Sequence, residues 1–163
     1  MLEYPRILPQ SFMVIGYGNQ LRGDDAIGQL VADAVAEWNL YHVKTKAVHQ
    51  LMPELAEDLA TVDAAIFVDA CVATDEESPL KLESISPADS CRIIMGHTSN
   101  PRSLLALTRA LYDYTPQSWL ISVPGIHFEL SDHLSPFAQR GVAAAIAQIE
   151  DMIKYPSLFY TKE

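Results

Sequence analysis

FMVIGYGNQLRGDDAIGQLVADAV, residues 12–35, passes from a short apolar run through a glycine-bearing turn into an amphipathic stretch. Phe12, Met13, Val14 and Ile15 read as a strand buried on both faces. Beyond the turn, Ile27, Leu30, Val31, Ala34, Val35 and Trp38 recur at helical spacing and are expected on one helix face. Strand, loop and helix in this order are the opening unit of a parallel α/β sheet. The turn is unusual because Asp24 and Asp25 stand where such a loop would ordinarily hold a phosphate.

The same alternation continues along the chain. Residues 43–48 read as a strand, 53–59 as a helix, and 64–68 as a central strand ended by Asp69. Residues 80–85 alternate like a partly exposed strand, and 92–95 form another candidate. Pro101 is placed for the first turn of a helix carrying Leu104, Leu105, Thr108, Leu111 and Tyr112 on one side, with Ser99 or Asn100 as its cap. Residues 119–123 read as a strand, and Ser135-Pro136 opens a last helix through Ala138, Val142, Ala145, Ile146, Ile149 and Ile153, before an irregular tail. The expected fold is α/β with three layers: a mostly parallel twisted sheet with helices on both faces. One domain is expected over residues 1–163, and loops leaving the carboxyl ends of the strands should gather distant residues at one edge.

Eleven basic residues against 21 acidic ones give a net charge of -10, which argues against nucleic acid and anionic membrane surfaces as partners. Cys71 and Cys91 form no CxxC pair, and no run reads as a signal peptide or membrane span, so a soluble cytoplasmic protein is expected. Gly16-Tyr17-Gly18 suggests dinucleotide binding, but Leu21 stands where that fingerprint needs its third glycine. His127 and His133 are six residues apart with Glu129 between them, which is not the zinc-peptidase spacing. No nucleophile elbow is present.

Taken singly, Asp24 and Asp25 read as helix caps, Asp69 as a turn residue and His97 as a loop histidine. One cap requires only one aspartate, so the expectation is that Asp24 serves the helix end and Asp25 is free to point into a cleft.

The GxGN turn followed by GDDxxG over residues 16–28, Val68-Asp69-Ala70, and Gly96-His97 before a helix together resemble the hydrogenase maturation endopeptidases, over roughly residues 12–153. That resemblance implies an endopeptidase of aspartic type that removes a C-terminal extension from the precursor of a nickel-iron hydrogenase large subunit. Carried over residue by residue, it makes Asp25, Asp69 and His97 metal-contacting groups that recognise the precursor's nickel, with no tightly bound cofactor of the enzyme's own. Two carboxylates and an imidazole suit such a borderline ion and leave positions open. The nucleophile is not identified, and Asp25 and Asp69 are the candidates for activating water.

Where many members carry an acidic residue and glycines after the second strand, this chain has VHQLMPEL, residues 48–55. This resembles the branch serving bidirectional, NAD-coupled hydrogenases and makes His49 and Gln50 candidate selectivity residues. The alternatives are a metallopeptidase with a resident zinc, a nickel-sensing chaperone that does not cut, and a nucleotide-binding module.

Overall fold

The computed structural model describes residues 8–89 and 100–160. The strand expected at 92–95 and His97 lie outside the described residues. Five strands, β1 (Phe12–Tyr17), β2 (Val43–Val48), β3 (Ala64–Val72), β4 (Lys81–Ile85) and β5 (Gln117–Gly125), form one sheet in the order β2-β1-β3-β5-β4. The first three and β5 run parallel, whereas β4 is an antiparallel edge on β5.

Side-chain parity divides the core into two. Phe12, Val14, Ala64, Ile66 and Val68 face one side with Ile27, Val31 and Val35 of α1 (Ile27–Ala36) and with Ala145, Ile149 and Met152 of α4 (Pro136–Lys154). Met13, Ile15, Ala65 and Phe67 face the other with Leu55 and Leu59 of α2 (Leu55–Leu59) and Leu104, Leu105 and Leu107 of α3 (Pro101–Tyr112). Both faces of β1 and β3 are thereby buried, which is why their sequences are continuous apolar runs and not alternating ones. The expected three-layer α/β arrangement is present.

Gly16 and Gly28 allow α1 to lie on the end of β1. A Cβ on Gly16 would fall 1.8 Å from the carbonyl oxygen of Gly28, so these backbones meet at a distance no side chain permits. The chain leaves β1 through α1 to β2 on one side and returns through α2 to β3 on the other. The topological switch point therefore falls between β1 and β3 at their carboxyl ends.

Several boundaries differ from expectation. Asp69 does not end its strand: β3 continues to Val72, because pairing with β1 stops at Gly16↔Val68 while the ladder with β5 runs on to Val72↔Gly125. The change from apolar to mixed residues marks the loss of one neighbour, not of the strand. Helix α2 begins at Leu55, and β5 extends beyond 119–123 on both sides. Leu30, Leu111 and Tyr112 are exposed at 38%, 61% and 44%, so the buried faces of α1 and α3 are narrower than their apolar patterns. The tail is not wholly irregular, since α5 (Pro156–Phe159) precedes a buried Tyr160 that packs on Phe12 and Trp119.

Candidate active site

Tyr17 is the last residue of β1, and the register Gly16↔Val68 makes Asp69 its neighbour on β3, on the same sheet face. The tyrosine hydroxyl donates to the Asp69 carboxylate. Burial pushes the Asp69 carboxyl up to about 6; Asp25 adds negative charge in the same direction, and the Tyr17 hydroxyl and the Ala70 N–H pull the other way. Burial, together with the charge and hydrogen bond of Asp69, likewise holds the Tyr17 hydroxyl far above its ordinary value. Asp25 and Asp69 thus lie near enough to feel each other's charge, at the carboxyl edge where β1 falls away from β3.

Asp25 is half-buried in a single 3-10 turn, Gly23–Ala26, which joins the glycine-bearing loop to α1. Its Oδ2 accepts the Asn19 N–H at 2.7 Å, the one donor it has among the described residues. Asn19 Oδ1 in turn accepts the Leu21 N–H at 2.9 Å, and the Gln29 amide donates to the Gly18 carbonyl at 2.6 Å. These side chains brace the turn from within, and the hydrogen bond that Asp25 itself accepts is local.

Asp24 corrects the reading given to it. Neither the 3-10 turn nor α1 has a side-chain cap, and Asp24 caps neither. It is fully buried, and its carboxylate accepts four hydrogen bonds: Ile126 N–H at 2.8 Å, His127 N–H at 3.0 Å, Ser135 N–H at 2.8 Å and the Ser135 hydroxyl at 2.7 Å. Burial opposes its charge, but these donors outweigh that and hold its carboxyl below the ordinary range. Ser135 passes the interaction on, since its Oγ accepts the Ala138 N–H at 3.1 Å as the N-cap of α4. Asp24 does serve a helix amino end, but it is that of α4.

Of the residues the sequence singled out, Asp25 and Asp69 are brought together, and His97 lies outside the described residues. Among the described residues no group of three or more histidine, cysteine, aspartate and glutamate side chains is arranged to hold a metal ion. His49 and Gln50 are exposed just past the end of β2, where the Gly18 N–H donates to the Val48 carbonyl at 3.2 Å. They therefore flank the turn that carries Asp25. His127 and His133, whose spacing is not that of a zinc peptidase, sit exposed between β5 and α4. Sequence reasoning missed Tyr17, whose signal is a phenol at the carboxyl end of an otherwise apolar strand. It also missed Ser135 as a partner of Asp24, for which no local signal exists.

A doubly wound sheet with acidic groups at its switch point defines a class of α/β proteins that work at the carboxyl edge. No protein-family model and no curated protein matches the chain. Solved structures do. The [NiFe] hydrogenase maturation protease HycI from Thermococcus kodakarensis KOD1 superposes with a TM-score of 0.68 at 20% identity, over 90% of this chain and 94% of that one. The hydrogenase maturating endopeptidase HybD from E. coli gives 0.69 at 19% identity, over 88% and 92%. The hydrogenase 2 maturation peptidase from Thaumarchaeota archaeon SCGC_AB-539-E09 gives 0.67 at 19% identity, over 88% and 98%. The chain has the fold of these proteins over nearly its whole length.

Proposed function

We propose that this chain is an endopeptidase that removes the C-terminal extension of a nickel-iron hydrogenase large-subunit precursor. The observation that carries the reading is the carboxylate pair Asp25 and Asp69 at the switch point, in a chain with the fold of hydrogenase maturation proteases. The nickel belongs to the substrate. In this reading it is met by Asp25, Asp69 and His97, whose incomplete shell leaves room for the ligands the precursor already provides. Asp25 and Asp69 are the candidates to take a proton from the attacking water and return it to the leaving amine; burial raises Asp69 to about 6 in the metal-free chain, which suits it to that exchange when it is not bound to the nickel. His49 and Gln50, beside the turn, select the precursor, and the chain belongs with enzymes of the bidirectional, NAD-coupled hydrogenases. The work is done in the cytoplasm, without a cofactor of the enzyme's own.

The test uses purified protein and precursor with and without nickel. Enzyme treated with chelator, then freed of it, is expected to shorten nickel-loaded precursor as fast as untreated enzyme, and precursor lacking nickel should resist both. Activity lost on stripping and restored by zinc would replace this reading with a resident-zinc peptidase. Binding without a shortened product would leave a chaperone. Asp25→Ala and His97→Ala should each abolish the product, and for Asp25→Ala the thermal midpoint should stay within a few degrees, since a half-buried turn side chain outside the core contributes little stability.

A further inference from the structure

Asp24 lies next to the candidate acid Asp25 but cannot share its task. An ionised carboxylate offers about four lone-pair sites, and Asp24 accepts four hydrogen bonds, three on Oδ2 and one on Oδ1, all from within the chain. With no exposed surface it cannot reach a substrate or an ion. Its donors come from the segment that follows β5. Residues 126–134 leave the carboxyl end of β5, cross over the glycine-bearing turn and enter α4. More hydrogen bonds clasp the segment to the same turn. Gly23 N–H donates to the Ser131 carbonyl at 3.0 Å, Ser131 N–H to Leu21 at 2.9 Å, Asp24 N–H to His127 at 2.7 Å, and Arg22 Nε to Phe128 at 3.3 Å. Gly125 lets the strand pass beneath, since a Cβ there would lie 2.7 Å from the Cβ of Asp24.

This is costly architecture for a surface connection. A fully buried charge stands only where hydrogen-bond donors offset its lost hydration. The segment it secures still presents Leu130 to solvent at 85% exposure, next to Leu21 at 63%. Asparagine could not replace the carboxylate, because its NH2 group would face one of the donors.

We propose that Asp24 is a positioning residue: it fastens residues 126–134 as a fixed wall against the turn that carries Asp25, and the precursor's peptide is held against that wall. The proposal rests on the peptidase reading above. The Asp25 carboxylate takes its own hydrogen bond from Asn19 and none from this segment, so releasing the wall loosens substrate binding more than it alters the chemistry.

The experiment compares wild type with Asp24→Asn and Gly125→Ala, by amide hydrogen exchange and by the kinetics of precursor cleavage. Gly125→Ala displaces Asp24 without removing any hydrogen-bonding group, and it carries the test should Asp24→Asn fail to fold. In each variant, exchange at Ile126, His127 and Ser135 should accelerate while Val31 and Ala32 in α1 stay protected. KM should rise by roughly tenfold with kcat within about threefold of wild type, the pattern of lost uniform binding. Unchanged KM, with only a lower thermal midpoint or a lower kcat, overturns the proposal, as does undiminished protection of the three amides. A wild type that leaves the precursor uncut overturns the peptidase reading and the wall's substrate with it, while the exchange data still decide whether Asp24 fastens the segment.

Discussion

Tyr17 stands between two glycines at the end of a strand whose other side chains are apolar or absent, and its hydroxyl reaches Asp69 on the neighbouring strand. A hydrogen bond to the ionised carboxylate favours that form, so it offsets part of the rise that burial imposes on Asp69. If the ionised Asp69 is the working form, kcat/KM for precursor cleavage should fall as pH drops through about 6, since that ratio reports the free enzyme. Tyr17→Phe removes the favourable hydrogen bond but keeps the ring, so the acid limb should move to higher pH with little change in the plateau. A limb that stays in place in the phenylalanine variant would mean that Tyr17 does not act on Asp69. The pairing of Asp25 with Asp69 was legible only through the family resemblance, because taken singly each reads as a cap or turn residue. The role of Asp24 was not, because its partners lie 102 to 111 residues away and a local pattern sees only the adjacent helix.

Strand and helix positions followed from two periodicities. In β1 and β3, odd and even residues divide cleanly between the two cores, which requires continuous apolar runs and makes such runs recognisable. The end of β3 was hidden because hydropathy reports burial, and burial ends at Val68, where β1 stops pairing. The helix starts at Pro101 and Ser135 were legible because proline and a capping side chain are local signals; Asn100 Oδ1 accepts the Ser103 N–H at 2.9 Å. The two caps nevertheless differ in weight. Asn100 is exposed and serves one helix, so Asn100→Ala should cost about 1 kcal/mol. Ser135 is 5% exposed and also donates to a buried carboxylate, so Ser135→Ala should cost roughly 2–3 kcal/mol, a lost cap plus an unmet charge. Urea midpoints of the two variants check the order, and equal losses would remove Asp24 from the account of α4. At the end of β2, exchanging His49-Gln50 for an acidic residue and glycine should change which of several precursors is cut and leave the rate on an accepted one near its original value. Unchanged choice across the set would free these residues of a selectivity role.

Across the whole molecule, the buried Asp24 and the half-buried Asp69 pull stability in opposite directions with pH. Asp24 titrates lower in the folded chain than its ordinary 3.8, so its contribution is present above that value and is lost as pH falls through the folded one. Asp69 titrates higher in the folded chain, about 6 against 3.8. Below about 4 it is protonated in both states and has no effect. Between 4 and 6 the unfolded chain gives up this proton first, so stability declines with rising pH, and above 6 the loss is complete. Its ceiling is about 3 kcal/mol, at 1.36 kcal/mol for each pH unit of difference, and contact with water reduces it. The metal-free protein should therefore lose stability on both sides of a maximum in weakly acidic solution. Asp69→Asn should be more stable than wild type at pH 7, equal to it near pH 4, and free of the decline between them. Asp24→Asn should be weaker than wild type at pH 7 and converge on it in acid, where the wild-type carboxylate is itself protonated. Urea unfolding at half-unit pH steps, with chelator throughout, measures both curves. An Asp69→Asn curve that still declines between pH 4 and 6 would show that another group bears the cost, and would remove the physical ground for Asp69 as the proton-exchanging acid.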